Sequence, residues 1–149
     1  MGFYSSIEVS ATGLSAERLA MDTIANNIAN VNTTRTAEGG PFKRQLVVFS
    51  QKNDPTATTT DSLDGPSDPA ASNAGVNVVG IVADQSPDRL VYDPTHPDAD
   101  ANGYVHMPNI DVVKEMVDMM AASRAYEANV TAIQEARNMS SATIGLLKA

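Results

Sequence analysis

Six apolar residues near the start of the chain share one face of a predicted helix. Four are spaced seven residues apart, and the last two of these are each followed three residues later by another: Ile7, Leu14, Met21, Ile24, Ile28 and Val31. Such spacing is typical of an amphipathic helix or a coiled-coil seam. The amide-rich stretch 26–34 then favours helix termination. We predict a helix of about 24 residues, with Gly13, which lowers helix propensity by about 1 kcal/mol, as the place where it would bend or break.

A second amphipathic pattern fills the C-terminal end of the chain. Pro108 disfavours helix before it, Asp111 offers an N-cap oxygen, and Glu115 puts negative charge near the positive end of the helix dipole. Eight apolar residues follow at three-four spacing: Val112, Met116, Met119, Tyr126, Val130, Ile133, Ile144 and Leu147. This pattern predicts a helix of some 37 residues, about 55 Å long, that continues to the C-terminus.

The two predicted helices have more apolar surface than they can cover between themselves. The second is longer than the first, and Val113, Val117 and Met120 widen its apolar face over the first three turns. Exposed apolar stripes normally mark partner surfaces. We therefore predict that the fourteen stripe residues of the two helices form protein–protein interfaces, in a pair that docks onto copies of itself.

The middle of the chain contains short strand patterns separated by Gly, Pro and Asp. Segments 46–49, 76–82 and 90–92 are rich in β-branched and aromatic residues. Segment 53–75 has one large apolar residue, Leu63, and is predicted to be a mobile loop. The predicted fold is mainly α with a small β/loop region. Two long terminal helices, in segments 1–34 and 109–149, form a coiled-coil-like pair around the short middle region 35–108.

Composition and charge narrow the classes of partner. The net charge of −8 argues against nucleic acid as a partner. Residues 53–106 alone carry a charge of that size, so the nearly neutral ends can pack against like segments. Arg35, Lys43, Arg44 and Lys52 form a basic cluster beside the acidic stretch. This cluster is either a solvated surface or a charge match for a neighbouring subunit. The first residues lack the pattern of a cleavable signal, and no apolar run reaches the roughly 20 residues of a membrane span.

The sequence offers little support for catalysis or metal binding. Segment 98–103 (DADANG) matches the first half of a calcium loop, but Asn109 stands where a bidentate Glu is required. His96 and His106 lie ten residues apart and match no standard ligand pair. With no cysteine, no glycine-rich phosphate loop and no nucleophile motif, we predict no enzyme activity, no cofactor and no metal site.

Both ends of the chain resemble one protein family. Segments 11–16 (ATGLSA) and 24–33 (IANNIANVNT) are similar to the N-terminal signature of the bacterial flagellar rod and hook axial proteins. Segments 109–111 (NID) and 122–129 (ASRAYEAN) look like the matching C-terminal signature. Segments 39–45 (GGPFKRQ) and 92–108 resemble the proximal-rod members of that family, and the short middle region agrees with them.

The resemblance implies a structural role. It implies a rod subunit that spans the periplasm, stacks helically with copies of itself and with other rod proteins (proximal and distal rod subunits and the junction protein between the rod and the MS ring), and transmits torque. It also implies export by the flagellar type III machinery without signal cleavage and without direct membrane insertion. The alternatives are another axial subunit of the family, a soluble export adaptor, and a calcium-regulated binding module.

Overall fold

The computed structural model describes residues 3–37, 39–52 and 75–147. Two helices enclose two β-hairpins in the order α1 (Phe3–Ala29), β1 (Gln45–Gln51), β2 (Val76–Ala83), β3 (Arg89–Tyr92), β4 (Tyr104–Met107) and α2 (Val112–Leu147). The predicted mainly α fold with a small β region is therefore confirmed. The mobile loop predicted at 53–75 lies, except for Gly75, outside the described residues.

The two helices pack against each other in antiparallel orientation. Asn27, near the end of α1, bonds to Glu115 at the start of α2, while Gly13 lies beside Asn129. Helix α1 begins at Phe3 and is continuous through Gly13, so the helix does not break there. An added Cβ at Gly13 would lie 3.0 Å from the Asn129 Nδ2 atom, so the glycine allows the helices to approach closely.

Helix α2 begins as its capping pattern predicts. The Asp111 Oδ1 atom accepts a hydrogen bond of 3.0 Å from the Val113 N–H, which satisfies one of the free donors of the first turn. The helix then continues for 36 residues to Leu147. At about 1.5 Å per residue its length is about 54 Å, close to the prediction.

The first hairpin lies along α1. Strands β1 and β2 are antiparallel, with a bulge between Val48 and Phe49. At the end of the hairpin where Gln51 pairs with Val76, Lys52 pairs with Glu8 at 3.3 Å and the Val76 N–H donates to the Thr12 Oγ1 atom at 3.1 Å. At the other end, Gln45 bonds to Asn26 and Asn27. The hairpin therefore follows α1 for most of its length.

The second hairpin contains a strand that the sequence pattern did not predict. Strand β4 pairs with β3 in antiparallel register, and its Val105 is only 2% exposed. Four residues between Gly103 and Pro108 are too few for a reliable alternating pattern. The two-residue stretch of apolar character at 104–105 was therefore not recognised as a strand.

The core of the described region is thin and built from small residues. Its buried apolar members are Ala16, Val105, Ile110, Ala122 and Ala136. Three buried polar residues, Thr23, Asn27 and Glu115, lie on the same helices. Since small side chains bury little apolar area, most of the large apolar side chains remain partly open to solvent.

Candidate assembly surface

The two predicted apolar stripes lie on the same side of the helix pair. Glu8, Thr12 and Asn26 of α1 contact the first hairpin. Successive helix residues advance by about 100°, so the predicted α1 stripe lies about 100° or more around the helix from these contacts. On α2, Asp118 contacts Arg44 at the base of the hairpin, and most of the predicted α2 stripe lies on the other flank. Apart from Ile24, which borders a small cavity with Leu46 and Val47 of β1, both stripes therefore face away from the hairpin.

We call this surface the two-helix face. It consists of the α1 stripe together with the adjoining α2 residues Val112, Met119, Tyr126, Val130 and Ile133. All eleven side chains are half-buried, so the chain covers each of them only in part. Met116 and Ile144 are more open, at 55% and 52% exposed. The side chain of Leu147 lies outside the described residues.

A second apolar surface runs along the back of α2, away from α1. It consists of Val113, Met116, Val117 and Met120, which are 71%, 55%, 53% and 53% exposed. These positions are three, four and seven residues apart and form one continuous strip, which we call the α2 outer stripe. The structure groups Met116 with this stripe more than with Met119. Large exposed apolar strips of this kind are unusual on a monomer.

The same face of α2 becomes polar beyond Met120. At the following three-four spacings lie four exposed residues: Arg124, Glu127, Thr131 and Gln134. The side chains along this face are thus similarly exposed, but they change from apolar to polar after the third turn. The apolar character of the α2 outer stripe is confined to the end of the helix that lies near the hairpins.

A buried polar cluster joins both helices to the first hairpin. The Asn27 Nδ2 atom donates to the Gln45 carbonyl at 2.8 Å and to Glu115 Oε2 at 3.0 Å, and Asn27 Oδ1 accepts from the Gln45 N–H at 2.9 Å. The Arg44 Nε atom donates to Glu115 Oε1 at 2.6 Å. We call Asn27, Arg44, Gln45 and Glu115 the polar node. It connects the end of α1, the start of β1 and the start of α2.

The polar node corrects the sequence-based interpretation of Glu115. The Glu115 side chain is fully buried and ion-paired, rather than only a surface charge that complements the helix dipole. Burying a carboxylate is costly unless it is paired and hydrogen-bonded, and both conditions are met. One signal in the sequence could have indicated it: Glu115 lies seven residues before Ala122 and twenty-one before Ala136, on the buried seam of α2.

The basic cluster of the sequence is neutralised within the chain. Arg44 pairs with Glu115 and reaches Asp118 at 3.4 Å, and Lys43 pairs with Asp88. The other two members pair with Asp98 (Arg35, at 3.9 Å) and with Glu8 (Lys52). Arg44 is largely covered, whereas Arg35, Lys43 and Lys52 are exposed, so the interpretation as a solvated surface fits these three residues.

The acidic loop between β3 and β4 uses its carboxylates to hold its own backbone. Asp100 Oδ1 accepts from the N–H groups of Asn102 and Tyr104, and the Tyr104 bond is the main cause of the lowered pKa of Asp100. Thr34 donates to Asp98 at 2.8 Å. The calcium-loop interpretation gains no support from these contacts. Within the described residues, no three His, Asp or Glu side chains form a group suited to a metal ion.

The two histidines also have local partners. His96 Nδ1 accepts from the Asp98 N–H at 3.1 Å, and His106 Nδ1 lies 3.6 Å from Asp88 Oδ2. These contacts organise the second hairpin and its loop.

As for membranes, neither described helix combines the length and the apolar character that crossing a bilayer requires.

Comparison with known proteins gives consistent matches at both ends and over the whole chain. Residues 7–35 match the family model described as "Flagella basal body rod protein", and residues 101–146 match "Flagellar basal body rod FlgEFG protein C-terminal". The flagellar basal-body rod protein FlgC of Borreliella burgdorferi is 46% identical, over 99% of each chain. Those of Bacillus subtilis and Escherichia coli are 42% and 36% identical, over at least 93% of each chain.

Proposed function

The chain belongs to the FlgC family of flagellar basal-body rod proteins, and we propose that it builds the rod by docking the α2 outer stripe and the two-helix face onto neighbouring subunits. As a member of this family it is a structural subunit of the basal-body rod. Its general role is to transmit torque, and we propose no catalytic activity for it.

The α2 outer stripe is the observation that carries this proposal. Its four apolar side chains are each more than half exposed, although the same face of the same helix is polar from Arg124 onwards. A partner that contacts only the first three turns would account for that change. Burial of such a strip stabilises an interface by about 25 cal/mol per Å² of apolar surface removed from water.

The two-helix face supplies a second surface for the same purpose. Its half-buried side chains already pack against their own chain, so a neighbour would complete their burial rather than create it. We propose that the terminal segments 1–34 and 109–149 form the packed centre of the rod as a coiled-coil-like pair, and that the region 35–108 lies outside it and contacts neighbouring subunits. The nearly neutral charge of the two ends favours such close packing of like segments.

The route to the rod is part of the proposal. We propose that the chain is a proximal-rod subunit, that it crosses to the periplasm through the flagellar type III machinery without signal cleavage, and that it contacts copies of itself, other rod subunits and the junction with the MS ring.

Purified basal bodies test this function. A tagged copy of the chain would replace the native one in motile cells, and basal bodies would be washed with high salt to remove adsorbed proteins. We expect the tagged chain to remain in the rod fraction, in fixed ratio to the other rod subunits. Recovery of the chain only in the cytoplasm would contradict the proposal and favour an export adaptor.

A further inference from the structure

The contact seam between α1 and α2 repeats every seven residues on both helices. On α1 it includes Gly13, Ala20 and Asn27, and on α2 it includes Glu115, Ala122 and Asn129. The pairs Asn27–Glu115 and Gly13–Asn129 are observed contacts, and each lies fourteen residues along the seam from the other. The antiparallel alignment that they define brings Ala20 opposite Ala122.

The small residues of this seam do not by themselves select one alignment. If α2 slid by seven residues in either direction, Gly13 would meet an alanine, Ala122 or Ala136. Apolar contacts between such residues are nearly equivalent, and a seven-residue repeat therefore specifies register weakly. The two polar contacts of the seam, Asn27 with Glu115 and Gly13 with Asn129, are different, because a slide would separate both pairs.

The polar node would be broken by such a slide. Glu115 is fully buried, and it receives its hydrogen bonds from Asn27 at 3.0 Å and from Arg44 at 2.6 Å. Displaced by seven residues in one direction, Glu115 would face Ala20, which has no side-chain donor, and displaced in the other it would lie beyond the end of α1. A buried carboxylate without partners is strongly disfavoured. The only polar side chain of the seam that faces Glu115 in the observed alignment is Asn27.

The second polar layer acts by shape. Asn129 packs so closely on Gly13 that a Cβ at position 13 would lie 3.0 Å from Asn129 Nδ2. In one shifted alignment Asn129 would face Ala20, whose methyl group occupies that space. Asn129 therefore accepts Gly13 more readily than the alanine one heptad away.

We propose that Glu115 and Asn129 set the axial register of α1 against α2, with the polar node as the main determinant and the Gly13–Asn129 contact as the second. This inference concerns the packing of the two helices within one chain and goes beyond the proposed role in the rod. A buried polar residue that selects the register of an otherwise apolar helix pair is the best-attested use of such residues. Here, the register also fixes where the α2 outer stripe lies relative to the two hairpins.

The distance between two spin labels, measured by pulsed electron paramagnetic resonance, tests the register directly. The chain has no cysteine, so Ser15→Cys and Ser141→Cys, both exposed, would be the only labelled sites. In the observed alignment these sites are offset by about 21 Å along the helix axis, and a slide of seven residues changes that offset by about 10 Å. Trimethylamine N-oxide in the buffer favours the compact chain.

Four versions of the labelled chain are compared: the native sequence, Glu115→Leu with Asn129→Ala, Glu115→Gln, and Thr23→Val. Thr23 is buried and polar, but its hydroxyl bonds only to the Leu19 carbonyl of its own helix, which makes it the matched control. We expect one common distance for the native, Glu115→Gln and Thr23→Val chains. For the Glu115→Leu, Asn129→Ala chain we expect a second population, displaced by up to about 10 Å.

Three results would overturn the proposal. In the first, the Glu115→Leu, Asn129→Ala chain keeps the single native distance. In the second, it loses its helical circular dichroism signal, which would show that the polar layers hold the pair together without selecting its register. In the third, Thr23→Val produces the same second population. None of these measurements depends on assembly of the rod, so the proposed function can fail while the register proposal stands.

Discussion

The side chain of Asn27 makes both hydrogen bonds that a neighbouring strand would make with Gln45. Its Oδ1 accepts from the Gln45 N–H at 2.9 Å, and its Nδ2 donates to the Gln45 carbonyl at 2.8 Å. A carboxamide can do both, whereas a carboxylate cannot donate. The same Nδ2 also reaches Glu115, so one side chain connects α1, β1 and α2.

Asn27→Ala should therefore destabilise the chain strongly. It leaves the Gln45 backbone groups and one oxygen of Glu115 without their partner, and each unsatisfied buried group costs about 1 to 3 kcal/mol. We expect the free energy of unfolding, measured by urea denaturation, to fall by about 2 to 4 kcal/mol. The neighbouring Asn26 is exposed, so Asn26→Ala should change it by less than about 0.5 kcal/mol. Equal effects of the two substitutions would contradict this account of the node.

Removal of Arg44 should lower the free energy of unfolding more than neutralisation of its partner Glu115. Glu115 is fully buried with Arg44 as its cationic partner, whereas Arg44 also reaches Asp118 and is partly exposed. Arg44→Met leaves a buried charge without its cation, for which we expect a loss of about 3 to 5 kcal/mol. Glu115→Gln should cost clearly less. The double variant Arg44→Met, Glu115→Leu should recover much of the loss of Arg44→Met, and a double-mutant cycle in urea measures this coupling.

The loop between β3 and β4 should lose order in acid. The Thr95 hydroxyl lowers the pKa of Asp93, and the Tyr104 N–H lowers the pKa of Asp100, each from an ordinary value of 3.8. Because these pKa values are lower in the folded chain than in the unfolded one, the stabilisation is complete above the unfolded value. It is lost as the pH falls below that value and through the folded pKa.

The amide proton of Tyr104 reports this loss. Its hydrogen exchange and chemical shift should change as the pH is lowered below about 4. Asp100→Asn is the matched control, because its amide oxygen still accepts hydrogen bonds but does not titrate. An acid transition of equal size in this variant would show that Asp100 is not its source.

Local signals predicted most of the secondary structure. The Asp111 cap, the heptad of Ile7 to Ile28 and the β-branched run at 76–82 each act over a few residues, so their consequences can be inferred from neighbouring positions alone. The exceptions follow from tertiary contacts. Helix α1 is continuous through Gly13, where Asn129 packs against it, and β4 is stabilised through the burial of Val105.

The pairing of residues in the polar node could not be predicted from sequence patterns. Asn27 and Glu115 are 88 residues apart, and charged residues in the first turn of a helix are usually exposed. The sequence pattern placed Val113, Val117 and Met120 beside the α2 stripe but assigned Met116 to the stripe itself. In the structure Met116 is 55% exposed beside Val113 and Val117, while Met119 is half-buried. Only the position of α1 separates the two surfaces.

The most direct test of the assembly surface compares two added charges on the same face of α2. Val117→Asp places a carboxylate in the α2 outer stripe, and Gln134→Asp places one in its polar continuation; both positions are exposed, so the isolated chain should tolerate either. The measurement is the amount of each variant in basal bodies purified from cells that lack the native chain. We expect Gln134→Asp to be incorporated normally and Val117→Asp to fall by at least about tenfold, since tenfold corresponds to only 1.4 kcal/mol. Equal incorporation of the two variants would contradict the assignment of this stripe to rod assembly.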